Sequence, residues 1–382
     1  MSVVARSIHA THVGAERCLS RKAAASLARS LTTLVVNCEG RRGPWGDATQ
    51  GWWLACEYYR VEADHRLRVA RLAAQRLTPA TACASAEDAA LAVIGIQAQD
   101  LRAAALALRS RVPGLTRAEV RDAPLLRTWT VRGTVHLIAA SDRPWLHALL
   151  AERNARVFGA RFERFGIVAE VKAMRRDAVE LCSEKPRDRA SLLRALVERG
   201  HPSLEQGPIN TFVPWLSSQG LIVTDIAGLL HAADPPPSID GDEALTILGT
   251  RYRAGYGPCD ATDLAKWSSL PITQARRALD AAGPPGDRDA WDAADAPPCL
   301  LLAAFDTLML GHRTREPFVA TEHDQHILKG GGMLKPVVLS SGVATGTWSI
   351  KKGRPEPAWF GPPAPAAALA SETADIERFL TS

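Results

Sequence analysis

The chain has 382 residues, 46% of them hydrophobic, enough for roughly two to four modest domains with their own buried surface. No run approaches about eighteen consecutive apolar residues, which excludes a membrane-spanning helix. The seven cysteines include no C-x-x-C pair and no Cys/His cluster at zinc-ligand spacing, so we expect reduced cytoplasmic thiols, no metal and no cofactor.

The first residues differ from the rest. MSVVARSIHATHVGAERCLSRKAAASLARSL is rich in Ser and Arg and has no acid before Glu16, as a transit peptide would, but it lacks the apolar core of a secretory signal. RRGPWGDATQGWW then breaks any periodicity. We expect residues 1–62 to be a disordered or poorly packed extension, with the ordered chain starting near Val61. A basic arm touching DNA is the functional alternative.

From Asp64 the pattern becomes regular. LRVARLAAQRL has helical spacing, and SAEDAALAVI opens a second helix with Ser85 as N-cap. LRAAALALRSRV is a third helix and TRAEVRDA a short fourth. LLRTWTVRGTVHLIAA then alternates large and β-branched residues around Arg132-Gly133, a strand–turn–strand signature. Helices followed by a hairpin describe a winged helix, the hairpin being the wing.

The order recurs. DRASLLRALVERG and GPINTFVPWLSSQG read as helices, and GLIVTDIAGLLHAA as a hairpin turning over residues 225–228. A third unit begins at Asp242, where DEALTILGTRYRAGYG leads into a helix–turn–helix: a Thr262 cap, a helix to Trp267, a turn over 269–271, then ITQARRALDAA. After Pro297 the texture is β, with CLLLAAFDTLMLG, MLKPVVLSSG and VATGTWSIKKG as strands between glycine turns. The expected fold is mainly α with β: three tandem winged-helix units over 63–166, 167–240 and 241–296, then a small β-barrel-like domain over 297–382.

Charge is unevenly spread. The whole chain carries +5, whereas residues 101–165 hold twelve arginines against five acids, a larger surplus in one stretch. Such density suits a phosphate-rich partner, because each phosphate contact releases a counterion. The other reading is a compositional arginine bias, which the abundance of Ala and Pro also fits.

One polar interruption stands out. GIQAQD, residues 95–100, sits between two apolar helical segments. On a helix, residues two apart point away from each other, but in an extended segment they share a face. Gly95 loosens the preceding helix and Asp100 suits the N-cap of the next. Residues 96–99 are therefore expected to be a short non-helical break that presents Gln97 and Gln99 to one space. The same amides could merely satisfy backbone groups at a helix junction.

Q-A-Q-D, the later W-T-V-R-G-T-V-H, D-L-A-K-W-S-S-L-P, F-D-T-L-M-L-G-H-R and the following G-T-W occur in one order over roughly residues 66–360. Together they resemble the AlkZ/YcaQ DNA glycosylases. The resemblance implies tandem winged helices and a β-barrel forming a cleft around double-stranded DNA, with alkylated purines, interstrand cross-links included, as substrates. It also implies a role in repair or in self-resistance to an alkylating natural product. It makes Gln97 and Gln99 the catalytic pair; with Ala98 between them, the Q-Φ-Q form (Φ hydrophobic) resembles the AlkZ branch, whereas the YcaQ branch has an aspartate at the position of Gln99. The long N-terminal extension departs from the family.

The chemistry is coherent without the resemblance. A glutamine takes no proton at neutral pH, but it can place a water and turn its oxygen toward a developing cation. A purine alkylated at N7 or N3 is already cationic and leaves neutral, so positioning and electrostatics suffice. Asp100 is a cap or a site carboxylate. Trp129, Thr134 and His136 either pack in the hairpin or line the site. Arg132 at the wing tip, Arg102, Arg276, Arg277, Lys351 and Lys352 are expected DNA contacts, although the third unit could be a spacer and KKGRPEP only a charged loop. A monomer working in the cytoplasm at the nucleoid is expected. A non-catalytic winged-helix regulator would explain charge and fold but has no need of the glutamine pair, and it should bind one operator sequence. A protein-interaction module should show no steep salt dependence with DNA.

Overall fold

The computed structural model describes residues 64–205, 207–283, 295–330 and 332–382, so the extension expected over 1–62 lies outside them. The described residues open with α1 (residues 64–74) and α2 (Ala86–Ala92), whose N-cap Ser85 accepts a hydrogen bond from the Asp88 amide. A two-residue strand β1 (Ile96–Gln97) follows. Next come α3 (Leu101–Arg109), α4 (Arg117–Asp122) with a Thr116–Glu119 capping box, and the hairpin β2 (Leu125–Trp129) and β3 (Val135–Ala139). A 23-residue helix, α5 (Arg143–Phe165), then runs to Gly166. It is followed by α6 (Val171–Glu184), α7 (Arg189–Glu198), α8 (Ile209–Ser218) and the hairpin β4 (Ile222–Thr224) and β5 (Leu230–Ala232).

The two hairpins join one sheet. Its order is β1-β3-β2-β4-β5, antiparallel throughout, and Arg127 opposite Thr224 is the seam. In this register Gln97, His136 and Thr128 lie side by side in one row across three strands. Thr128 is tied to α8 by a 2.8 Å contact between its hydroxyl and that of Ser217.

The helix–turn–helix follows as α9 (Gly241–Tyr256), α10 (Ala261–Ser268) and α11 (Ile272–Ala281). The cap of α10 is Asp260, not Thr262. Asp260 accepts the Thr262 and Asp263 amides at 2.7 and 2.9 Å, because an aspartate two residues before Thr262 reaches both orphan N–H groups. Ser269 makes the turn in the left-handed region, at φ 60°.

The C-terminal part differs from the expectation in two places. CLLLAAFDTLMLG supplies a strand only at β6 (Leu300–Leu302); Thr307–Leu310 is a helical turn, α12, capped by Asp306, followed by α13 (Asp324–Ile327). The strands β7 (Val337–Ser340), β8 (Val343–Lys351) and β9 (Arg354–Trp359) extend β6 into a four-stranded antiparallel sheet ordered β6-β7-β8-β9. Among the described residues β6 and β9 are its open edges, so the expected barrel-like closure is not seen. A 16-residue helix, α14 (Ala366–Thr381), closes the chain, burying Ile376 and Phe379 against the sheet.

A shared core holds these parts together. Ala90, Val93 and Leu108 of the first segment pack with Tyr252, Tyr256 and Trp267 of α9 and α10 and with Leu301, Val338 and Phe379 of the C-terminal part. A second cluster joins α6, α7 and α8 to the β4–β5 hairpin. Burial of this apolar surface, at about 25 cal/mol per Å², is the main term opposing chain entropy. No described helix is long and apolar enough to cross a membrane.

Candidate active site

The break in the helical pattern is present. After α2 the chain reverses through Ile94 at φ 57° and Gly95 at φ 84°. The left-handed region costs glycine nothing. A Cβ at position 95 would stand 2.7 Å from Ile138 Cγ2 and 2.9 Å from the Leu137 carbonyl, so the site also requires the missing side chain. Ile94 is β-branched and buried, and such a residue in this region stores about 1–3 kcal/mol of strain that the surrounding packing must hold.

The following residues are extended. Ile96 and Gln97 pair with Leu137 and His136, the Ala98 amide donates to the Val135 carbonyl at 2.8 Å, and Asp100 starts α3. Asp100 Oδ1 accepts the amides of Arg102 and Ala103 at 2.8 and 3.1 Å. It caps the helix.

The extended backbone brings the two glutamines together. Gln97 is buried, Gln99 is exposed, and Gln97 Nε2 donates to Gln99 Oε1 at 3.1 Å. Gln97 Oε1 in turn accepts from an Arg132 terminal nitrogen at 2.8 Å, while the other terminal nitrogen of Arg132 donates to the Trp267 carbonyl at 2.7 Å. A guanidinium only donates, so it fixes which end of the Gln97 amide faces it. The polarity runs Arg132 to Gln97 to Gln99. Among the described residues it leaves Gln99 with a free oxygen lone pair and both of its amide hydrogens unspent.

Arg132, expected as a DNA contact at the wing tip, is turned inward in the structure. Its φ of 58° turns the loop back toward α10, and the guanidinium is partly buried between Gln97 and Trp267. Among the described residues no carboxylate pairs with it; burial pulls its pKa below the usual arginine value, with Tyr256 and Tyr252 opposing. Removing the charge while keeping the stem, as in Arg132→Met, should lower single-turnover base excision on the order of ten- to a hundredfold by freeing the Gln97 amide. DNA affinity should change by less than about twofold. An unchanged rate at saturation together with a salt slope shallower by about one would return Arg132 to a phosphate-binding role.

His136 lies beside Gln97 in the sheet, fully enclosed. Its Nδ1 sits 2.9 Å from the Thr130 hydroxyl and 3.0 Å from the Thr134 carbonyl; the carbonyl can only accept, so Nδ1 carries the proton. Burial first, and the Arg132 charge second, push its pKa down to about 3. The ring is thus neutral above about pH 4, and base excision should be flat from about pH 5.5 to 8.5. Because the folded value lies below the unfolded one, its stability contribution is complete above about pH 6.5 and fades as pH falls toward the folded value. A rate inflection near pH 6.5 would show that the ring titrates in the site.

The other expected site residues divide. Thr134 Oγ1 donates to the Val131 carbonyl at 3.1 Å and shapes the turn. Trp129 pairs with Val135, out of the Gln97–His136–Thr128 row by the period of two, and packs on the second cluster. Arg102, Arg276 and Lys352 are exposed. Arg277 is held by Asp242 at 2.6 Å and Lys351 by Glu356 at 2.8 Å, so these two meet DNA only by exchanging a partner. Two supporting residues escaped the sequence reading. Asn154 donates to the Thr130 carbonyl at 2.8 Å, and the Trp267 carbonyl holds Arg132. A buried asparagine in an amphipathic helix leaves no local signal, and a backbone carbonyl leaves none at all.

The chain is similar to known proteins in sequence and in fold. An interstrand DNA cross-link repair glycosylase of Streptomyces sahachiroi is 26% identical over 324 residues, covering 73% of this chain and 86% of that protein. The structure of the Streptomyces sahachiroi DNA glycosylase AlkZ aligns with a TM-score of 0.69 at 22% identity, over 82% of this chain and 95% of the other, which shows a similar fold. Residues 90–379 match the family model described as DNA glycosylase AlkZ-like, a span that includes the glutamine pair, Arg132, His136 and Trp267. The chain belongs to the AlkZ-like DNA glycosylase family, and it is a DNA glycosylase.

Proposed function

We propose that Gln97 and Gln99 carry the excision of purines alkylated at N7 or N3. The observation that supports this is the directed amide chain, in which Arg132 fixes Gln97 and Gln97 fixes Gln99 at the exposed end. Gln99 Oε1 accepts one O–H of a water whose lone pair then faces the sugar anomeric carbon. The C–N bond breaks with its electrons going to the cationic purine, which leaves neutral. The water oxygen bonds to the oxocarbenium carbon, and the surplus proton passes to solvent. No strong base is required, and unalkylated bases are spared as poor leaving groups.

Interstrand cross-links joined through such purines carry the same activated bond. We include them as substrates, in line with the cross-link repair for which the Streptomyces relative is named. The test is incubation with duplexes carrying N7-methylguanine or a purine–purine cross-link. Released base and an alkali-labile abasic site are expected from the first, and from the second an abasic site and separated strands, with the excised purine still joined to the other strand; intact DNA after long incubation with excess protein would overturn the proposal.

We also infer a tandem winged-helix organisation over 63–166, 167–240 and 241–296, with 297–382 as a C-terminal unit. Helices α2 to α4 with the β2–β3 wing, α7 and α8 with the β4–β5 wing, and the α10–α11 helix–turn–helix support it.

A further inference from the structure

Asp100, the residue after Gln99, lines a groove of about 430 Å³ between α3 and the C-terminal sheet. Its floor is apolar, built from Leu106, Ala304, Ile350 and Ala358. Its rim carries Arg102, Lys329 and Lys335. The Arg102 and Lys329 side chains have no acidic partner among the described residues, and Lys335 donates only to the His326 carbonyl, at 2.6 Å. The two rim carboxylates are already engaged: Asp100 caps α3, and Glu356 holds Lys351 at 2.8 Å. The rim is thus a net cationic edge over an apolar floor, a pairing that matches one nucleotide, whose phosphate is anionic and whose base and sugar present flat or apolar surface.

Position narrows the occupant. Asp100 follows Gln99 directly, and consecutive Cα atoms are about 3.8 Å apart. A strand whose damaged nucleotide reaches Gln99 therefore brings its neighbour to the mouth of the groove, since nucleotides along one strand are spaced by about 3.4 Å of helix rise. We propose that this groove is a subsite for the nucleotide adjacent to the excised one on the lesion-bearing strand, with its phosphate on Arg102, Lys329 and Lys335 and its base and sugar on the apolar floor. The subsite rests on the chain being a DNA glycosylase that works at Gln99, but it is a binding claim and is tested without chemistry.

The experiment uses the full chain, Arg102→Ala/Lys329→Ala/Lys335→Ala, and Ala358→Trp. The first removes only exposed or partly exposed cations, and the second adds bulk at an exposed strand position where tryptophan is well tolerated. Equilibrium binding to an undamaged duplex should weaken on the order of tenfold or more in the triple variant, with a salt slope shallower by about one, because the three cations share one phosphate. Ala358→Trp should weaken binding with no change in slope, because it blocks the floor without touching charge. A neutral methylphosphonate beside N7-methylguanine should weaken the wild type and leave the triple variant indifferent. Wild-type affinity and slope in the triple variant, or undiminished sensitivity to the methylphosphonate, would overturn the proposal. A protein that fails to excise base yet loses affinity through these variants would sink the glutamine mechanism and leave the subsite standing.

Discussion

Gln99→Ala should lower single-turnover release of N7-methylguanine on the order of ten- to a thousandfold, and Gln97→Ala should fall in the same range. The leaving base supplies its own activation, so the protein contributes only water placement and stabilisation of the sugar cation. The lower end of the range for a lost catalytic group is the natural anchor. The two effects should be less than additive, because the Gln97 amide acts by holding Gln99 Oε1 at 3.1 Å and the double variant loses one arrangement, not two. Gln99→Glu separates geometry from charge. A carboxylate at the exposed end can accept a water proton outright, so it should keep more activity than alanine does. DNA affinity should move little in all of them, since neither amide is a cation. Wild-type rates in both folded alanine variants would mean that the extended break is only a helix junction.

The second large effect concerns stability. Asp306→Ala should destabilise the protein by about 3–5 kcal/mol, a large part of the roughly 5–15 kcal/mol typical of a folded protein. Asp306 and Arg111 are both fully enclosed and meet through two bonds of 2.9 Å. Arg111 also donates to Gln75 of the first segment at 3.2 Å and to Thr307 at 2.8 Å, and Asp306 accepts the Leu308 amide. Removing the carboxylate leaves a guanidinium enclosed without its counter-charge, which is the costly half of breaking a buried pair. Asp306→Asn should lose less, since it keeps an acceptor for the Leu308 amide. Urea unfolding of the variants decides the matter: a midpoint within error of wild type for Asp306→Ala would show that the network relaxes or takes up water. The same geometry explains a motif. F-D-T-L-M-L-G-H-R is a packing device whose Asp306 joins Arg111, whose His312 bonds the Tyr256 carbonyl at 2.8 Å, and whose Arg313 amide bonds Asp263 at 2.8 Å.

Much of the fold was legible because it is local. The periodicity of SAEDAALAVI, the Ser85 and Asp100 caps, the strand–turn–strand around Arg132-Gly133 and the hairpin at 225–228 depend on neighbours within a few residues, and each is present. The errors are equally physical. FDTLML reads as a strand by composition, but the Asp306 cap and its bond to Arg111, 195 residues away, make it a helical turn. For Trp129 the sequence left packing and site-lining open, and strand alternation puts it out of the Gln97 row.

The sequence by itself determined that residues 96–99 leave the helix and that two amides share a face, because glycine, a cap and a period of two are properties of the chain segment. It also determined the family, through motifs kept in one order. Only the tertiary structure decided what those amides face. Arg132 looked like a solvent cation, and it became the anchor of Gln97 because a left-handed turn and the Trp267 carbonyl, 135 residues on, draw it inward. His136 could pack in the hairpin or line the site, and the sheet encloses it so that it stays neutral. Burial and partner choice depend on segments distant in sequence, and no local pattern encodes them.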